Sequence, residues 1–422
     1  MSEPDARPEP GALAGPELFD PVAYGRAGHP FETFARLRRA DPVHWYEGLP
    51  ELPFWALTRR AEIVAVARDP IRFSSEKRFH IVAGADYGDD PRETRTIVQM
   101  DPPKHRTHRA LLAGQFTPRA LRALEPEIDA VVARIIDEVE ARASAGELDF
   151  VEAVAAPLAL AVIAQRMDLP SSDWERLFRW TNEMTGPTDP QYRRPGESPT
   201  DTRLRATQEV FAYFSEIVAQ RRRRPGRDLV SVLAAARPDG VPLPDHELLS
   251  YCLLLIGGGN ETTRNALSGG IEAFLAFPEQ WRRLRADPDL AAPACEEILR
   301  WTTPVVHNAR TATVELELAG RRIRRGDTLA LFWPSANRDE AVFDAPDVFR
   351  IDRRPNPHLA FGIGEHVCLG AHLARMELTR ALAALARRVE RLEPAGAVER
   401  LQSSAVGGIK RLPIRCRFGA RR

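Results

Sequence analysis

Apolar positions recur at helical spacing through most of this chain. Ile128, Val131, Val132, Ile135, Ile136 and Val139 fall on one face of a helix. Residues 158–167 are apolar enough for a core helix, and a long apolar helix is predicted from about 246 to 277. Helical patterns also cover 30–40, 207–223 and 371–388. The 207–223 pattern ends in an arginine run, which suits a solvated helix C-terminus. Strand signals are fewer. Residues 43–46 and 54–58 flank a turn at 48–50, and 314–318 alternate strictly before Ala319-Gly320. Another strand is predicted at 327–333, with short strands and turns over the last forty residues. Residues 74–95 and 184–201 break the pattern and read as long loops. Residues 1–18 are polar and proline-rich, the composition of a disordered tail. No internal repeat is present. The fold class is mainly α with a small β region.

Composition narrows the function without naming it. The chain has 422 residues, 44% of them hydrophobic, which is ample for a large core. Lys+Arg and Asp+Glu are 59 each, so the balance points to no nucleic acid and no anionic membrane. Lysine occurs only at Lys77, Lys104 and Lys410, a bias that reads as genomic base composition. Cys252, Cys295, Cys368 and Cys416 are too scattered for a disulfide framework or a zinc site. Cys252 and Cys295 lie in helical patterns and read as small apolar residues. Residues 1–16 lack an apolar signal segment, and no run of about 18 apolar residues occurs. A cytoplasmic protein without a membrane anchor is expected.

The most informative stretch is Phe361-Gly362-Ile363-Gly364-Glu365-His366-Val367-Cys368-Leu369-Gly370. One cysteine sits among three glycines, and a helical pattern follows at once. Thiolate is the metal-binding form of cysteine, and glycines let a backbone turn sharply and pack against a flat surface. Zinc is disfavoured, because no second cysteine is near. This string resembles the haem-binding loop of the cytochrome P-450 family, the haem-thiolate monooxygenases, and matches Phe-Gly-x-Gly-x-His/Arg-x-Cys-x-Gly at every fixed position.

A second stretch lies inside the long helix: Gly257-Gly258-Gly259-Asn260-Glu261-Thr262-Thr263. Glycines there cost roughly 2–3 kcal/mol relative to alanine, so something needs the space. An acid followed by a hydroxyl can relay protons. The same string alone also fits a helix end followed by a new cap. It resembles the family's Ala/Gly-Gly-x-Asp/Glu-Thr-Thr distal motif. A third, Glu297-x-x-Arg300, is by itself an ordinary helix pair.

The resemblance spans about residues 20–418 and implies the cytochrome P-450 fold, a single large triangular domain around a haem over residues 19–422. It implies haem b with Cys368 as the metal ligand, bordered by Phe361 and Gly370, and with Gly258 facing the cofactor. A thiolate opposite bound oxygen favours O–O cleavage. Glu261 and Thr262 become the catalytic acid–alcohol pair. His105, Arg109, Arg310 and His366 become the propionate partners. Glu297, Arg300 and Arg353 become a structural cluster. His105 and Arg109, four apart in a helix, share a face, whereas His108 does not.

The implied reaction is monooxygenation with O2 as co-substrate. Electrons would originate from NAD(P)H and arrive through a ferredoxin reductase and a ferredoxin, with Lys104, Arg106 and Arg119 as candidates for a basic docking face. The pocket is assigned to Phe79, Ile81, Val82, Val305, Val306, Asn308, Ala405 and Val406. It is mostly apolar, so a lipophilic substrate is expected. Asn260-Glu261-Thr262-Thr263-Arg264-Asn265 and Gly407-Gly408-Ile409-Lys410-Arg411-Leu412-Pro413 look like the bacterial branch acting on steroids, terpenoids and methyl-branched lipids. His307-Asn308 and the charged 76–80 loop depart from that pattern. A polyketide or other secondary metabolite is the alternative substrate. A peroxygenase, a haem-binding sensor or carrier, and a helical interaction protein are the competing readings. Glu261-Thr262 argues against the peroxygenase.

Overall fold

The computed structural model describes residues 13–49, 52–81, 95–143 and 146–419. Eight helices position the site: α1 (Lys104–Ala113), α2 (Glu125–Ala143), α3 (Ala156–Arg166), α4 (Trp174–Thr185), α5 (Pro199–Arg223), α6 (Asp245–Ala276), α7 (Ala291–Thr302) and α8 (Ala371–Arg388). Most follow the apolar periodicity closely. The exception is α5, which starts well before the expected residue 207. Ser198 caps it by accepting from the Asp201 amide at 3.1 Å while Asp201 returns the bond, and Pro199 opens the first turn. The expected 184–201 loop is shortened accordingly, and Pro190–Tyr192 forms a 3-10 turn within it.

Helix α6 runs through the centre, packed between α3, α4 and α7. Its glycines are used in two ways. A Cβ on Gly259 would lie 2.8 Å from Ile163 of α3, and one on Gly270 would lie 2.7 Å from Ile298 of α7. These two let neighbouring helices approach closely. A Cβ on Gly257 or Gly258 would meet nothing within 4 Å.

The main sheet holds β1 (Val43–Tyr46), β2 (Phe54–Leu57), β3 (Phe73–Ser74), β4 (His307–Ala312) and β5 (Thr328–Phe332), in the order β1-β2-β5-β4-β3. Only β2 and β5 pair in parallel. The hairpin expected near Ala319-Gly320 joins Leu316–Leu318 to Arg321–Ile323. One large apolar cluster fills the helical part, and two smaller ones line the two sides of the sheet. Of the segment assigned to a tail, residues 13–18 are described, and Leu18 is fully buried in one of the sheet clusters. No helix among the described residues is long and apolar enough to cross a membrane.

Candidate functional site

The cysteine loop is fixed from below by a close backbone contact. Gly364 has φ +82°, and a Cβ there would lie 2.5 Å from the Ala67 carbonyl oxygen, so only glycine fits. The Cys368 amide donates to the Phe361 carbonyl at 2.9 Å, which closes the loop and brings the phenyl ring beside the sulfur's segment. The Arg375 guanidinium lies 4.6 Å over the Phe361 ring. Helix α8 starts directly after Gly370.

Cys368 has accessible surface, yet enough protein surrounds it for burial to push its thiol pKa up. Together these facts put the sulfur on the wall of an interior hollow. Against that push, the Gly370 amide hydrogen-bonds the sulfur, and Arg109 and Arg375 favour its negative charge.

Four basic or hydrogen-bonding side chains meet near the same hollow. His105 and Arg109 come from α1, Arg310 from β4 and His366 from the cysteine loop. The His105 and His366 rings are 4.2 Å apart. Burial first, then Arg310, His105 and Arg109, push the His366 pKa down to about 3. Burial and Arg109 lower that of His105, and burial brings Arg310 down to about 10. His105 Nδ1 and His366 Nε2 are buried without a hydrogen-bond partner among the described residues. Asp101 and Glu365 are the nearby acids. Glu365 stands 4.0 Å from His105 and is ion-paired with Arg106. A nest of mutually repelling donors beside a thiol fits a ligand carrying two carboxylates and a metal, which is the donor set a haem requires.

Helix α6 carries Gly258, Glu261 and Thr262, of which Thr262 is partly buried and Glu261 fully buried. Thr262 Oγ1 donates to the Gly258 carbonyl at 2.7 Å. Glu261 is fully buried in an ion pair with Arg264, one turn onward, and also accepts from Asn265 Nδ2 at 3.2 Å. Arg264 continues to Asn182 Oδ1 of α4 at 2.8 Å and lies over Phe178 at 5.1 Å. Glu261 Oε2 has no partner among the described residues. The Glu261–Arg264 pairing was missed in the sequence, although the i, i+3 spacing that signals it is visible there.

Glu297, Arg300 and Arg353 meet in a saturated cluster. Arg300 forks onto both carboxylate oxygens of Glu297 at 2.7 and 2.8 Å, and Arg353 Nε reaches them at 3.0 and 3.1 Å. The remaining guanidinium donors reach the carbonyls of Asn337, Pro346, Asp344, Ala345 and Val348. Its partners Pro346, Val348 and Asn356 belong to the segment that precedes the cysteine loop.

The assigned pocket residues divide. Val305 bridges Val406, and the Val306 amide donates to the Ala405 carbonyl at 2.9 Å, so the run leading into β4 and the terminal turn do meet. The Phe79 carbonyl accepts from the Ala309 amide at 2.8 Å, which adds residue 79 to that wall. Ile81 and Val306, however, are 0% exposed and packed in a sheet cluster with Phe19 and Phe34. They face the core, which corrects their assignment to the pocket. Val82 lies outside the described residues. Asn308 Oδ1 accepts from Trp333 Nε1 at 2.9 Å. Two of the expected docking cations are committed within the chain: Lys104 to Glu247 at 2.8 Å, and Arg106 to Glu365. One further buried group escaped the sequence reading, Glu377 of α8, whose carboxyl pKa burial pushes well up, and His307, marked there only as a departure from the family pattern, is fully buried as well.

Known proteins resemble this chain along most of its length. The sequence model for cytochrome P450 matches residues 72–294 and 289–410. A steroid C26-monooxygenase of Mycolicibacterium smegmatis is 36% identical over 90% of this chain and 89% of its own length. A linalool 8-monooxygenase of Pseudomonas putida is 34% identical over 94% of this chain and 98% of its own. The structure of Mycobacterium marinum cytochrome P450 CYP268A2 in complex with pseudoionone superposes with a TM-score of 0.87 at 33% identity, covering 97% of this chain and 99% of that one.

Proposed function

The chain belongs to the cytochrome P450 family and is a monooxygenase, and we propose that it hydroxylates a lipophilic small molecule of the steroid, terpenoid or branched-lipid kind. The observation that carries this reading is the convergence of the Cys368 thiol and four unsatisfied or repelling donors on one hollow. Haem, when bound, supplies the iron at which dioxygen is reduced and cleaved.

The chain's own residues take these parts. Cys368 would bind the iron as thiolate, its charge supported by the Gly370 amide and by Arg109 and Arg375. His105, Arg109, Arg310 and His366 would take the two propionates. Gly258, with open space where a side chain would stand, leaves the face of α6 clear. The Thr262 hydroxyl, now turned back to the Gly258 carbonyl, can rotate and offer its proton into the hollow. Glu261, held in place by Arg264 and Asn265, is the adjacent acid that would resupply it. In sum R–H, O2, two electrons and two protons give R–OH and water. The electrons are assigned to NAD(P)H, delivered by a ferredoxin reductase and a ferredoxin. The docking surface rests more on Arg119 than on Lys104 or Arg106, which already have acidic partners.

The test is spectroscopic. Reduced protein under carbon monoxide is expected to give the red-shifted Soret band of thiolate ligation, and testosterone, linalool or a long-chain fatty acid is expected to convert the ferric iron to high spin. Absence of the thiolate band overturns the assignment. Thr262→Ala should keep haem bound while product per NAD(P)H consumed falls about tenfold. Unchanged coupling removes Thr262 from the relay.

A further inference from the structure

Three separate segments join into one wall: residues 79–81, residues 304–309 leading into β4, and the terminal turn at 403–407. Main-chain bonds join them in pairs. The Ala309 amide reaches the Phe79 carbonyl at 2.8 Å, Val306 reaches Ala405 at 2.9 Å, and Gly407 reaches Pro304 at 2.7 Å. One side chain spans the two outer segments. The Ile81 amide donates to His307 Nε2 at 3.0 Å, and His307 Nδ1 lies 3.1 Å from the Ser404 carbonyl oxygen.

These partners fix the imidazole chemically. An amide N–H can only donate and a carbonyl can only accept, so the proton sits on Nδ1 and the ring is neutral. Burial, and after it the facing His80 ring, push the pKa down to about 3. The rings of Phe19, Phe332 and His80 enclose it at 5.2, 5.6 and 5.6 Å. His307 is 0% exposed, so it touches no molecule in the hollow. Its neighbours along the wall, Phe79, Val305 and Asn308, are only partly buried.

We propose that His307 is a positioning residue for substrate selection: it clamps residues 79–81 to the terminal turn and so sets the width of the lipophilic pocket. The inference rests on the monooxygenase reading. An apolar wall discriminates by fit, and one methylene of mismatch changes binding by roughly ten- to two-hundred-fold. Loosening the clamp lets the wall give way, so poorly fitting ligands gain relative to the best one. Loss of packing alone would instead weaken all ligands together.

The experiment is a spin-state titration of the haem-bound protein with testosterone, linalool, lauric acid and palmitic acid. His307→Leu fills the space and removes both bonds. His307→Asn keeps a donor where Nδ1 stands, and His307→Gln keeps an acceptor reaching toward the Ile81 amide. The leucine variant is expected to lower the affinity ratio between the best and the next ligand at least tenfold, with the carbon monoxide band unchanged. Asparagine and glutamine are each expected to restore part of that ratio. Ratios within twofold of wild type in the leucine variant overturn the proposal. So does an equal loss for all ligands without rescue, or a shifted carbon monoxide band. Should the leucine variant not fold, wild-type ratios in both other variants, or failure of both to fold, overturn it. If wild-type protein responds to none of the four ligands, the substrate reading fails and this inference goes with it.

Discussion

Two buried, arginine-rich clusters stand within this fold, and they are built on opposite terms. Around Glu297, one carboxylate is gripped by Arg300 and Arg353, by Asn356 Nδ2 at 3.2 Å and by the Arg350 amide at 2.9 Å. Its remaining donors end on carbonyls. His366, His105, Arg109 and Arg310 are four basic or donating groups, with no acid ion-paired to Arg310 or His366 among the described residues and with ring nitrogens left without partners. In the first, the Glu297 carboxylate and the Arg300 and Arg353 guanidinium groups all find partners within the chain. The second is complete only with an anion. Buried charge is costly unless paired, so a chain that retains the second arrangement points to a ligand. A buried arginine by itself says nothing about function; its satisfied or unsatisfied donors do.

The largest expected effect attacks the complete cluster. Glu297→Ala leaves two buried guanidinium groups uncompensated and should cost about 3–5 kcal/mol of stability, read as a fall in the urea midpoint. If the midpoint stays put, the cluster is not what holds this region. The converse substitution falls in the incomplete cluster. Arg310→Leu removes a buried guanidinium whose burial, only partly offset by Asp101, already disfavours its charge. Stability of ligand-free protein should stay within about 1 kcal/mol, while haem transfer to apomyoglobin speeds up about tenfold. A large stability loss without faster haem release would erase the contrast.

Acid provides the smallest and finest test. The His366 pKa of about 3 lies below the 6.5 of an exposed imidazole. Between those values the unfolded chain binds a proton that the folded chain refuses, so ligand-free protein loses stability as pH falls through that window. His366→Gln should blunt this, narrowing the loss between pH 7 and about 4.5 by about 1–2 kcal/mol. Haem carboxylates favour the protonated ring, so the difference between the two proteins should shrink once haem is bound. Identical pH slopes for the two ligand-free proteins would count against a repelling nest.

Legibility followed how local the physics is. Helix α8 and strands β1 and β2 match their apolar periodicity, and the cysteine loop was visible because glycine spacing around one thiol is a local pattern. Pairings that cross the fold were not. The run Pro304-Val305-Val306 is uniformly apolar, so nothing in it shows that Val306 turns toward the core while Val305 does not. Ile81 was misassigned for the same reason, since its surroundings come from residues 18–56 and 306–332, far away in sequence. The early start of α5 could have been read from Ser198-Pro199 and Asp201, a capping signal hidden inside a polar, proline-rich stretch. His307 was visible only as a departure from the family pattern, because its two partners lie more than ninety residues away on one side and two hundred on the other.

The contact between Gly364 and the Ala67 carbonyl has a mechanical corollary. The strip of backbone carrying Cys368 leans on the helix Arg60–Ala67, which in turn rests against β5. The height of the sulfur is therefore gauged from the sheet, a different body from the helical layer that carries Thr262. The spacing between the two faces of the reaction chamber is a dimension of the whole scaffold, and a methyl group at position 364, remote from any reacting atom, would throw that dimension out.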